Sequence, residues 1–300
     1  DVLKYINPFI GTGAHGHTFP GPTKPFGMVQ IGPDTRIEGW DGCSGYHYSD
    51  SIIYGFSHTH LSGTGIGDYC DLLIMPFSGE LTFNNGYNDN NELCYSSKFD
   101  KKNEMAKAGY YEVKLAKHQI TANLTCTDRV GIHKYTYKNT KEARLIIDLE
   151  HRDKLLDWKL SINEDNQLTG SRISSSWANK QFFYFCIDFS SDYKIEYNNK
   201  NAPTKAVITF KNLEKDELMV KVGISTVSEE NAKNNLMHEA SHWDFDQYRI
   251  EAEDSWRKEM DKIQIETNHD SIKTIFYTSL YHSIIAPNLI SDVDGSYRGT

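Results

Sequence analysis

Ile120-Thr121-Ala122-Asn123-Leu124-Thr125-Cys126 sets apolar and polar side chains in alternation. A strand sends successive side chains to opposite faces, so this pattern predicts a β-strand with one face in a core. Working outward, similar short runs without helical periodicity recur at Leu72 to Phe77, Tyr110 to Ala116, Gln119 to Thr127, Val130 to Tyr137 and Ala143 to Leu149. They continue at Leu156 to Ile162, Leu168 to Ser174, Phe182 to Asp188, Ala206 to Phe210 and Leu218 to Thr226. Turn clusters such as Lys138-Asn139-Thr140 and Glu164-Asp165-Asn166 separate them, and the Asn-rich patches at Asn84 to Gly86 and Asn88 to Asn91 read as exposed turns. About ten strands at this spacing predict a large antiparallel β-sandwich.

The pattern changes near Ser228. Glu229 to Ala240 reads as a short helix, and Phe245, Tyr248, Ala252, Trp256, Met260 and Ile263 fall on one face of a longer one. Asp270 is expected to cap a third helix whose apolar stripe is Ile272, Ile275, Phe276, Leu280 and Ile284, stopped before Pro287. A helix pair cannot bury all its apolar surface by itself, so a second, helical domain is expected to begin here and continue past Thr300. The expected organisation is a sandwich over 1–227, a helical linker over 228–268 and the start of a further domain over 269–300.

Towards the N-terminus, residues 5–34 hold five of the eight prolines and many glycines, which predicts an ordered loop region. It contains His15-Gly16-His17, a pair able to ligate a metal but without a nearby Cys or carboxylate cluster in sequence. Gly39-Trp40-Asp41-Gly42 follows. A Trp and an Asp among glycines suit a sugar subsite, a flat apolar platform beside an acceptor for vicinal hydroxyls; a Trp plugging the core beneath a turn fits equally well. In Gly55 to Asp68, His58, His60 and Ser62 are expected to share a strand face, while Gly63, Gly65 and Gly67 allow positive φ or close approach to a ligand.

The chain has 300 residues and a net charge of −9 with no Lys/Arg cluster, which argues against nucleic acid as a partner. Eighteen Tyr, 14 Phe and 5 Trp supply buried area and, with many Asn and Ser, favour sugar binding. Cys43, Cys70, Cys94, Cys126 and Cys186 are odd in number and widely spaced, so buried thiols are expected rather than a zinc site or a disulfide framework. No apolar run is long enough to span a bilayer. A chain opening on Asp1 instead of Met suggests a removed export signal.

Gly63-Thr64-Gly65-Ile66-Gly67 lacks the spacing of a dinucleotide loop, and Ser57 or Ser62 near His60 lacks a nucleophile elbow. Asn123-Leu124-Thr125 fits the glycosylation pattern but sits inside a predicted strand. A glycosidase needs two carboxyls. Asp34, Asp41, Asp68, Asp71, Asp292 and Asp294 are available, but no spacing selects a pair. The residues themselves lead to a sugar-binding cleft without a reaction.

Tyr5 to Gly13, Thr18-Phe19-Pro20-Gly21, Pro25-Phe26-Gly27-Met28-Val29-Gln30, Gly39-Trp40-Asp41, Gly55 to Gly65 and Tyr297-Arg298-Gly299, in this order, closely resemble glycoside hydrolase family 92. The resemblance implies an inverting, calcium-dependent exo-α-mannosidase acting on N-glycans or mannan, exported to the periplasm or exterior of a Gram-negative bacterium. It also implies an N-terminal sandwich, a linker and an (α/α)6 barrel that carries the catalytic acid, the base and the Ca2+ ligands beyond Thr300. No catalytic or metal-binding role passes to residues here on this resemblance. Phe19, Trp40, Asp41, His58, His60 and, from the barrel side, Arg298 are the implied substrate contacts. A non-catalytic carbohydrate-binding domain and a family member cleaving mannose-1-phosphate linkages are the alternatives.

Overall fold

The computed structural model describes residues 1–88, 93–138 and 142–299. Asn139, Thr140 and most of the Asn88 to Asn91 patch, expected as turns, lie outside them, as does Thr300. All ten expected strands form. Two antiparallel sheets carry the sandwich. The smaller runs, edge to edge, Gly32–Asp34, Gly55–Ser57, Leu73–Ser78, Ala143–Asp148, Lys205–Phe210 and Tyr193–Tyr197. The larger runs Lys154–Ile162, Leu168–Ser175, Gln181–Phe189, Glu217–Ser225, Val130–Tyr137, Ile120–Cys126, Tyr110–Leu115 and Glu104–Lys107.

The alternating stretch explains the layering. Ile120, Ala122, Leu124 and Cys126 enter the common core between the sheets with Ile74, Leu145, Ile208, Tyr135 and Phe185. On the opposite face, Asn123 donates to Tyr110 Oη at 2.7 Å and Thr125 Oγ1 to Gly109 O at 2.8 Å, so their polar groups are satisfied although buried. That burial leaves Asn123 unsuited to carry a glycan. The outer face is dry because helices cover it: α1 (Glu229–Glu239) and α2 (Phe245–Met260) place Ala232, Leu236, Phe245 and Tyr248 against Val130, Ile132 and Tyr110. Both helices have side-chain N-caps, Ser228 accepting from Asn231 N and Asp244 from Gln247 N. Ile263, expected on the face of α2, lies past its end and is exposed.

A third helix, α3 (Asp270–Ile284), departs from expectation in phase. Its buried residues are Tyr277, Thr278 and Tyr281; of the expected stripe Phe276, Leu280 and Ile284 pack half-buried against the same core, whereas Ile272 and Ile275 are 49% and 65% exposed. The tyrosine side wins because the N-terminal segment and α2 meet it there. Tyr277 stacks on Tyr5, Tyr281 packs 4.5 Å from Trp256, and Thr278 Oγ1 accepts from Asn7 N at 3.0 Å. Asp270 does not cap the helix; His269 takes the N-cap place without a side-chain bond, and Asp270 accepts from Tyr5 Oη.

This third core encloses Phe19 together with Ile6, Trp256, Met260 and Tyr281, and Trp256 Nε1 donates to Thr23 O at 2.6 Å. The proline-rich loop is therefore clamped between helices and sandwich. All five cysteines are free thiols, and all but Cys94 are buried. No described helix is long and apolar enough to cross a membrane.

Candidate functional site

Three loops converge at Trp40. The first, around His15 and His17, is fixed where Gly63 N donates to His17 O at 2.7 Å. The second is the tight turn Trp40–Gly42, anchored by Arg152 Nη1 donating to Gly42 O at 2.8 Å. The third is the glycine run 63–67. Trp40 Nε1 donates to Gly65 O at 3.0 Å, and a Cβ on Gly65 would lie 2.8 Å from that nitrogen, so glycine is what permits the approach. The indole thus has its polar edge satisfied while the residue stays 58% exposed.

Beside it, Asp41 Oδ1 lies 2.6 Å from His15 Nδ1 and 3.3 Å from His17 Nε2. The hydrogen bond to His15, followed by that to His17, holds the Asp41 carboxyl below its ordinary range. His17 meets the indole edge-on with ring centroids 4.4 Å apart. The result is an exposed aromatic face next to an ionised, oriented carboxylate. A further exposed aromatic, Trp177, stands at the tip of the hairpin joining Leu168–Ser175 to Gln181–Phe189. Ser176 Oγ donates to Gly67 O at 2.6 Å and Ala178 N to Asp68 Oδ2 at 3.3 Å, tying that tip to the same glycine run. Sequence reading passed over Trp177 because nothing local distinguishes it from any turn residue.

The remaining expected contacts do not open onto this surface. Phe19 and His58 are fully buried and His60 is 2% exposed, so none of these three presents its side chain at this surface. Strand geometry stops at Ser57, which is itself fully buried, so His58, His60 and Ser62 do not share a strand face. Phe19 stacks on His60 at 5.0 Å. His60 Nε2 pairs with Asp34 Oδ1 at 2.8 Å, and His151 Nε2 with Asp34 Oδ2 at 2.7 Å. Burial opposes ionisation of Asp34, yet His60 and His151 outweigh it and keep the carboxyl well below its usual range. Ser57 Oγ does approach His60 Nε2, at 3.2 Å, but Ser57 is fully buried and no substrate can reach it.

His58 belongs to a separate chain of hydrogen bonds. Its Nδ1 can only donate to Leu72 O, at 2.9 Å, which leaves Nε2 as an acceptor for His133 Nε2–H at 3.0 Å. His133 Nδ1 then accepts from Tyr135 Oη at 2.6 Å. Every tautomer in this row is fixed, and burial favours the neutral form of both imidazoles, pulling the His58 pKa down to about 4 and that of His133 well below its ordinary value.

Arg298 is exposed but turned to the sandwich. It donates to Thr226 O at 2.6 Å and Val227 O at 3.2 Å, and its guanidinium lies 3.9 Å over the Phe182 ring. It makes no hydrogen bond or cation–π contact with Trp40 or Asp41, so the structure does not bring it to them.

The family model for the glycosyl hydrolase family 92 N-terminal domain matches residues 5–225, and that for the family's catalytic domain matches residues 231–300. The chain belongs to glycoside hydrolase family 92. A family 92 α-mannosidase of Bacteroides thetaiotaomicron, solved with mannoimidazole, superposes with a TM-score of 0.92 at 33% identity, over 99% of this chain and 42% of its own. The family 92 inverting mannosidase of strain VPI-5482 of that species superposes at 0.83 with 22% identity, over 99% and 41%, a likeness of fold. An uncharacterized secreted glycosidase of Arthroderma benhamiae is 25% identical over 96% of this chain and 42% of its length. The chain spans about two fifths of the length of these family 92 relatives and of that glycosidase.

Of the six aspartates singled out in the sequence, three are engaged in buried pairs. Asp34 is held by two histidines, Asp71 by Arg172 and Thr59, and Asp292 by Ser225 and Asn235, all three buried. Asp68 is 7% exposed, leaving Asp41 and Asp294 as the accessible members of the six.

Proposed function

We propose that this chain supplies the sandwich side of the substrate pocket of a calcium-dependent, inverting exo-α-mannosidase, which releases terminal mannose from N-glycan or mannan α-mannosides. The observation that carries the proposal is Trp40, exposed with its indole nitrogen already bonded, beside the ionised and oriented Asp41. A pyranose face stacks on the ring, and the carboxylate accepts from neighbouring sugar hydroxyls. The 33% identical relative, an α-mannosidase solved with mannoimidazole, supports mannose as the sugar.

The proposed division is a sandwich over 1–227, a linker over 228–268 and the start of an (α/α)6 barrel over 269–300, with acid and base on the barrel. The engagement of Asp34, Asp71 and Asp292 in buried pairs is consistent with this, because an inverting pair needs two accessible groups with room for water between them. Export to the periplasm or cell exterior belongs to the same reading, supported by the secreted fungal relative. Calcium prefers six to eight oxygen ligands. The metal-competent clusters among the described residues, His15/His17/Asp41 and Asp34/His60/Cys70, offer imidazole and thiol instead and do not fit it. Calcium is accordingly assigned to the barrel, and no step is routed through it here.

The test is steady-state kinetics of the protein at its natural length. Trp40→Ala lowers kcat/KM on an α-mannoside by about 1–3 kcal/mol in transition-state terms, the scale of a lost desolvated aromatic contact. Unchanged kinetics in a folded variant would return Trp40 to a purely structural role.

A further inference from the structure

The His15-Gly16-His17 loop gains in space the carboxylate it lacks in sequence. Ligand atoms of His15, His17 and Asp41 lie within 4.8 Å of one another. We propose that these three side chains form a binding site for a zinc-like divalent transition metal. The site is separate in chemistry from the calcium of the mannosidase reading and does not rest on that reading, although it shares Asp41, through Oδ1, with the sugar subsite proposed there.

The donor set comes first. Two imidazoles and one carboxylate suit zinc and its first-row neighbours, whereas calcium takes oxygen. Spacing comes next. The 3.3 Å between His17 Nε2 and Asp41 Oδ1 matches the edge, about 3.3–3.4 Å, of a tetrahedron with bonds of about 2.0–2.1 Å. His15 Nδ1 sits closer, at hydrogen-bond distance, with its side chain 70% exposed and its ring 5.2 Å from that of Trp40, so it has to move outward as a metal replaces the proton between them. Three protein ligands leave a fourth position open to water.

The backbone is also committed to this arrangement. His17 is a non-glycine residue at φ 54°, a conformation that costs energy and persists where the surroundings impose it. Those surroundings are visible: Thr18 N donates to Gly11 O, Gly16 N to Gly13 O, and a Cβ on Gly16 would fall 2.1 Å from Gly11 O. The strained residue aims its buried ring at Asp41 under the edge of Trp40, so the loop is built around that imidazole.

Calorimetric titration of ZnCl2 into the metal-stripped, natural-length protein, with calcium present in excess, tests this without reading turnover. One saturable zinc site per chain is expected, at least tenfold weaker in each of His15→Ala, His17→Ala and Asp41→Asn and unchanged in His238→Ala, a control at an exposed histidine. His15 is exposed, so its variant folds even if His17→Ala does not. Absence of a saturable site, or an affinity that His15→Ala and Asp41→Asn leave unchanged, would overturn the proposal. Because binding heat alone is read, failure here leaves the mannosidase reading standing, and failure of Trp40→Ala to alter kinetics leaves this site standing.

Discussion

Trp40 and Phe19 are both aromatic residues in glycine- and proline-rich loops, yet one stands exposed and the other is fully buried. Residue type alone does not separate the two, because each role needs a large flat apolar group. Neighbours far away in sequence decide: Gly65 takes the Trp40 N–H and leaves its face in water, whereas Trp256 and Tyr281 close over Phe19. The same distance in sequence hid His133 as the partner of His58, Asp34 as the shared partner of His60 and His151, and Asp41 as a partner of His15 and His17. The neutral row through His58 and His133 has a consequence for stability. A histidine whose folded pKa lies below its unfolded value of about 6.5 binds its proton more readily when unfolded, so stability falls as pH drops below 6.5. For His58, with a folded value of about 4, the loss across that window is about 3 kcal/mol, and His133 and His118 act in the same direction. Melting temperature is expected to decline between pH 6.5 and 4.5. A profile flat over that range would mean that these imidazoles are not held neutral.

At the scale of elements, the strands were legible because alternation and turn residues are local signals, and register follows once one face must be buried. The short strands Gly32–Asp34, Gly55–Ser57 and Ser97–Lys98 were not, since they are held by pairing with distant partners more than by pattern. Helix α3 was placed within a residue of its start but rotated in phase. Its isoleucines gave the more hydrophobic stripe, yet tyrosines with aromatic partners bury more area and find bonds for their polar neighbours. The rotation is measurable in the 300-residue chain. Tyr281→Ala, which empties a site beside Trp256, is expected to cost about 3–5 kcal/mol, while Ile275→Asn stays within about 0.5 kcal/mol. Denaturant titration of both variants checks the phase, and the reverse order would restore the isoleucine stripe to the core.

For the whole molecule, the decisive quantity is how many carboxyls remain free to do chemistry. Asp34, Asp71 and Asp292 hold the sandwich and its docked helices together; removing Asp34 or Asp71 leaves a buried histidine or arginine charge unmatched, and removing Asp292 leaves the Ser225 and Asn235 donors unsatisfied. They cannot serve as acid and base while doing so. Asp41 is accessible, but its low pKa suits an acceptor of hydroxyl protons and not a proton donor to a leaving group. Residues 1–300 are therefore expected to show no turnover of an aryl α-mannoside with calcium present. Calorimetry with mannose oligosaccharides adds a second reading. A self-sufficient binding module would give saturable heat from the Trp40 face alone, whereas one wall of a two-domain pocket gives none, since the other wall must supply the remaining hydrogen bonds that offset the cost of ordering the sugar. Measurable hydrolysis would show that a carboxylate pair operates within this chain after all, and binding without hydrolysis would make the sandwich a carbohydrate-binding domain in its own right.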